Sequence, residues 1–108
     1  MRGMTGEETV EKAARLLLEA APGSKVILFG SYARGEATGD SDVDFMVVEP
    51  EVADRYAEMV RLAEVLRPLR LAVDVVVVSA ERFEYWRDTP NTVIYRAAKE
   101  GRVYEQVA

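Results

Sequence analysis

The chain contains no cysteine and no histidine. The first absence excludes disulfides, thiolate nucleophiles and cysteine-ligated zinc. The second removes serine–histidine triads, histidine general bases and the commonest transition-metal ligand. Any chemistry must rest on carboxylates, Lys, Arg, Tyr, Ser or a hard metal ion. Positive charge is also scarce: 14 Lys and Arg stand against 19 Asp and Glu, a formal net charge of -5. Such a balance is ill suited to general nucleic-acid binding, which needs basic residues to displace counterions from phosphates, so no direct nucleic-acid partner is expected. No apolar run approaches the roughly 20 residues of a membrane span. The opening MRGMTGEETVEK has no signal-peptide apolar stretch. No membrane association and a cytoplasmic location are the resulting expectations.

What is present is a soluble globular composition, 49% hydrophobic and 31% charged over 108 residues. That length fits one domain, 1–108, burying roughly two-thirds of its unfolded surface. Thr5 and Glu8 form a capping-box pattern, and Val10, Ala13, Ala14, Leu17, Leu18 and Ala21 follow helical spacing, predicting a helix over about 6–21. KVILF at 25–29 reads as a buried strand and DVDFMVV at 42–48 as a second, ended by Pro50. Val52, Tyr56, Met59, Val60, Ala63 and Leu66 mark one face of a helix reaching about Arg67. LAVDVVVVS at 71–79 is a β-branched third strand. A short helix capped by Ser79, a last helix from Asn91 as cap to Gly101, and a closing strand in RVYEQV complete the order α-β-loop-β-α-β-α-α-β. Within FEYWR, Phe83, Tyr85 and Trp86 read as core or strand cover, with an exposed partner patch as the alternative.

The 12 residues from Gly30 to Ser41 are the one long loop between elements, and such loops tend to be functional. Just beyond it, Asp42 and Asp44 are two apart in a strand and so project to one side. Asp74 interrupts the apolar VDVVVV, where an unpaired charge is costly. If the third strand lies beside the second, the three carboxylates converge within about 5 Å, where each pair repels by roughly 3 kcal/mol at an effective dielectric near 20. The sum, about 10 kcal/mol, rivals the whole stability of a small domain. Arginine, a shared proton or a divalent metal can offset it. With no histidine or cysteine, magnesium, which takes oxygen ligands, fits best. An Asp-x-Asp alone is more often a solvated strand end, and Asp74 alone an edge residue facing water. The adjoining loop changes that balance. Gly30 allows close backbone approach to a ligand, and Ser31 suits a helical turn whose free N–H groups and hydroxyl face an anion. Arg34 and Lys25 are the nearest cations.

GSYARGEATGDSDVDFMVV closely resembles the signature of the DNA-polymerase-beta-like nucleotidyltransferases: Gly30-Ser31, ten residues, then Asp42-Val43-Asp44, with Arg34-Gly35 and Ser41 also matching. The resemblance covers nearly the whole chain, with Asp74 as the third carboxylate. Lacking the helical or substrate-binding domains of larger members, the chain is most similar to the minimal nucleotidyltransferases (MNT), the antitoxin halves of prokaryotic HEPN–MNT modules. This implies an α+β fold with a small mixed β-sheet packed with helices. It implies two Mg2+ ions on Asp42, Asp44 and Asp74, and ATP as substrate at Gly30, Ser31, Arg34 and Ser41. It also implies AMP transfer to a tyrosine hydroxyl of a HEPN toxin partner, with homo- or hetero-oligomers compatible with that role. Transfer to a small molecule of the aminoglycoside type, or masking of a toxin without catalysis, are the alternatives.

Overall fold

A computed structural model describes residues 6–38 and 42–106. Its elements run α1 (Gly6–Ala20), β1 (Lys25–Phe29), α2 (Ser31–Arg34), β2 (Val43–Glu49), α3 (Arg55–Leu66), a 3-10 turn (Arg67–Leu69), β3 (Val73–Ser79), α4 (Ala80–Trp86), α5 (Val93–Glu100) and β4 (Arg102–Glu105). The four strands form one mixed sheet, ordered β3-β2-β1-β4, with β2 and β3 parallel and the other pairs antiparallel. The architecture is α+β, as expected. Thr5, the first half of the expected capping box, lies outside the described residues.

Alternation along the strands divides the core in two. Val26, Leu28, Val43, Phe45, Val47, Val75 and Val77 face α1 and α3, where Val10, Ala13, Ala14, Leu17, Leu62 and Leu66 meet them. Ile27, Phe29, Met46, Val48 and Val78 face α4 and α5, under Phe83, Ile94 and Ala97. Both faces of the central strands are covered, which is why β1 and β2 read as nearly unbroken apolar runs. Each fully buried side chain of this size contributes about 1.5–3 kcal/mol. No helix among the described residues is long and apolar enough to cross a membrane.

Local chemistry sets the boundaries. Asp54, Ser79 and Thr92 accept hydrogen bonds from the backbone N–H of Ala57, Arg82 and Tyr95 respectively, capping α3, α4 and α5. The last cap corrects the sequence reading. Asn91 takes a left-handed conformation (φ 69°), which asparagine tolerates, so the next residue performs the capping. The face assigned to α3 is corrected too. Tyr56 is 76% exposed and Val60 45%, whereas Leu62 is fully buried with Leu66. The helix begins three residues later than Val52, and Met59, Leu62 and Leu66 form the stripe that meets β3. FEYWR splits: Phe83 is buried, Trp86 packs partly against the core, and Tyr85 is 74% exposed, its ring edge-on to Trp86 at 5.0 Å.

Candidate functional site

The candidate site lies where β1 ends and β2 and β3 begin. Phe29, the last residue of β1, pairs with Asp44, and Asp44 is directly abreast of Asp74 in the parallel register. Both aspartates therefore stand on the α4/α5 side of the sheet, on neighbouring strands. Asp42 sits just before β2 with the same parity. Asp44 is half-buried, and Asp42 and Asp74 are exposed.

The Gly30 turn lies against Asp44. Gly30 has φ 80° and ψ -153°, a conformation open essentially to glycine alone. A Cβ placed there would collide with Oδ2 of Asp44. Backbone and carboxylate thus approach more closely than any side chain would permit. Gly30, not Ser31, occupies the cap position of α2 and makes no side-chain cap bond. Ser31 becomes the first helical residue, half-buried, and its hydroxyl is not committed to capping.

Charge at this end is unbalanced. Burial pushes the Asp44 carboxyl above its ordinary range, and the negative charges of Asp74 and then Asp42 push it further; Arg96 and Arg34 pull it back. Arg34 makes two exposed ion pairs. Its Nε donates to Glu36 at 2.9 Å and its Nη1 to Glu100 at 3.1 Å, bridging the loop to the end of α5. Lys25 is not in the site. It occupies the far end of β1, opposite Glu105 and 5.5 Å from the Phe83 ring centroid. Ser41 lies outside the described residues. Arg96 on α5 was not singled out in the sequence, because no local spacing links it to Asp44; only the packing of α5 on β1 brings it near.

The register brings Asp44 and Asp74 abreast, but no group of three acidic side chains among the described residues is gathered closely enough to form a ready-made metal site. The donor set itself, carboxylate oxygens without imidazole or thiolate, suits magnesium. A surface groove of about 920 Å³ lies elsewhere, between α1 and β4 along Glu11, Arg15, Leu18 and Tyr104, and none of the candidate residues lines it.

Comparison with known proteins identifies the fold and the family. Two Methanocaldococcus jannaschii proteins assigned as protein adenylyltransferases are similar in sequence. MJ1379 is 36% identical over 72 residues, 65% of this chain and 72% of its own. MJ0128 is 32% identical over 80 residues, 73% of this chain and 81% of its own. The fold matches a chain from the complex of tri-AMPylated Shewanella oneidensis HEPN toxin with MNT antitoxin (TM-score 0.63, 22% identity, 94% of this chain and 74% of that one). It matches a toxin–antitoxin structure with AMP-PNP (TM-score 0.60, 23% identity, 94% and 75%). A Sulfolobus solfataricus protein assigned as a nucleotidyltransferase also matches (TM-score 0.57, 18% identity, 95% and 88%). The family model for the nucleotidyltransferase domain covers residues 10–104, and the chain belongs to that family.

Proposed function

We propose that this chain is a magnesium-dependent nucleotidyltransferase that moves AMP from ATP to a hydroxyl, of tyrosine by preference, on a HEPN-type protein partner, and so acts as an antitoxin. The observation that carries the reading is the pair Asp44 and Asp74, abreast on parallel strands with Asp44 pressed under the Gly30 turn. The protein adenylyltransferase relatives and the toxin–antitoxin structures of the same fold support the acceptor class.

In this reading Asp42, Asp44 and Asp74 hold magnesium, which supplies the positive charge that offsets the triphosphate and the departing pyrophosphate. The Gly30–Ser31 backbone and the Ser31 hydroxyl orient the phosphate chain, because the turn leaves N–H groups unused by strand or helix. Asp74, at the edge of the site, accepts the acceptor hydroxyl's proton. The acceptor oxygen bonds to the α-phosphorus as the bond from that phosphorus to the β-phosphate oxygen breaks, releasing pyrophosphate. Arg34, already tied to Glu36 and Glu100, positions the loop, and Arg96 tempers the acidity of the cluster. Ser41 is included in the nucleotide-binding set on its place in the signature.

Label transfer tests this. With magnesium and a HEPN-family partner, α-labelled ATP should mark the partner and γ-labelled ATP should not, and an Asp42→Ala/Asp44→Ala variant should mark nothing. Toxin neutralisation that survives in the double variant, with no label on a folded partner, would favour masking without catalysis.

A further inference from the structure

β3 is an edge strand: among the described residues it pairs with β2 alone, so its outer row of backbone groups has no sheet partner. A long unpartnered edge invites another strand. Along this edge runs a slot of about 230 Å³, lined by Val76, Val78, Trp86 and Ile94 and by Arg55 and Arg82. Val76 and Val78 share a face of β3 with Asp74, so the slot begins about 7 Å along the strand from that carboxylate.

Both arginines of the slot lack an ion pair with a described residue, as do Arg15, Arg70 and Arg96 elsewhere. Arg34, Arg61, Arg67, Arg87 and Arg102 each hold a carboxylate. Arg55 and Arg82 are exposed. In a chain of net charge -5 carboxylates are plentiful, yet these two guanidinium groups stand open in the lining of an apolar slot.

We propose that this slot docks an acidic segment of the acceptor protein. The segment lies extended along the free edge of β3, sets an apolar side chain against Trp86, Val76 and Val78, and places carboxylates on Arg55 and Arg82. The proposal rests on the transfer reading above and adds to it the surface that presents the acceptor. Strand addition supplies main-chain hydrogen bonds while alternate side chains supply selectivity. The arginine forks match carboxylates. A hydroxyl carried two residues further along such a strand arrives level with Asp74. The net charge of -5 opposes a nucleic-acid strand as occupant.

Trp86 is the chain's sole tryptophan, so its fluorescence reports on the slot directly. The probe is a blocked peptide of one leucine with two glutamates on each side; the control replaces the glutamates with lysines. The glutamate peptide should change Trp86 emission saturably. Its affinity should fall by about tenfold or more both in Arg55→Glu/Arg82→Glu and with the lysine peptide. Magnesium-ATP binding, followed by calorimetry, should stay within about twofold in that variant, whose altered side chains are exposed. Equal binding of the two peptides, no saturable change with the glutamate peptide, or tighter binding of single-stranded oligoadenylate would overturn the proposal. Loss of magnesium-ATP binding in the variant would also overturn it, by assigning the slot to the nucleotide. Failure of the wild-type protein to bind magnesium-ATP would sink the transfer reading instead, while the peptide comparison still judges the slot.

Discussion

The two ends of β2 carry the same kind of residue and resolve it differently. At the far end, Glu49 has one buried oxygen, Oε2, that no described donor reaches, and it faces Glu58 on α3. Burial first, then the hydrogen bond and charge of Glu58, raise the Glu49 carboxyl to about 7. Glu58 is lowered to about 2, chiefly because Arg61 donates to it twice, at 2.9 and 2.5 Å. A proton on Glu49 answers the orphaned oxygen, and Arg61 balances the remaining charge. That end closes on itself. At the near end, Asp44 meets Asp74 and Asp42, and the arginines beside it are distant or already engaged. Its repulsion finds no comparable partner among the described residues, and in the proposed function magnesium supplies it. Acidic residues at the two ends of one strand thus differ in whether their neighbours complete the charge.

The sharpest way to break this contrast is to delete each end in turn. Asp42→Ala/Asp44→Ala should lower nucleotidyl transfer by about 100-fold or more, while Glu49→Gln should leave it within about twofold. Equal losses, read in the label-transfer assay, would erase the distinction. Next in size is Gly30→Ala, which should cost about 1–3 kcal/mol in chemical unfolding and abolish transfer, since a Cβ there displaces Asp44. Gly35→Ala is the control. It also has positive φ (74°) but nothing within 4 Å of a Cβ, so it should cost about 1 kcal/mol and keep transfer.

The self-contained end should reveal itself through pH. Unfolded, Glu49 releases its proton near 4.5; folded, it holds the proton until about 7. The folded state therefore binds more protons across that window, and stability falls as pH rises through it. Glu58 runs the other way, its contribution present above 4.5 and lost as pH falls toward 2. Glu49→Gln keeps a donor for Glu58 without a proton to lose. At pH 8 it should melt several degrees above wild type, a gain on the order of 1–2 kcal/mol after solvent screening, and the gap should close by pH 5. The smallest effect belongs to Asp44→Asn. Without metal it should be more stable than wild type by up to about 1 kcal/mol, because a buried repulsion is relieved, and magnesium-ATP should raise the melting temperature of wild type only.

Much of this was legible because it is local. Gly30-Ser31 and Asp42-x-Asp44 are fixed by spacing along one stretch, and β-branched runs marked the strands that place Asp74 beside Asp44. The features that escaped depend on packing between distant segments. Tyr56 and Val60 have helical spacing with Met59, but β3 meets the face carrying Leu62, and apolar spacing alone does not say which flank of a mixed stripe is buried. Arg96 and Arg34 owe their roles to α5 lying over β1 and to Glu100 at its end. Glu49 looks like a solvated strand end until α3 folds back and sets Glu58 over it. Asn91 yielded its capping role to Thr92 through one backbone angle.

The parallel pairing of β2 with β3 also fixes when the site exists. The antiparallel β1 joins β2 across residues 30–42, but the parallel β3 requires the longer α3 crossover first. Loop-closure entropy makes such long-range pairing a slow event. Asp44 and Asp74 therefore come abreast only once that crossover has closed, and before then a cation meets Asp42 and Asp44 without Asp74. Bound metal should then leave the folding rate nearly unchanged and retard unfolding, so that the ligand acts as a latch on the finished domain rather than as a template for making it.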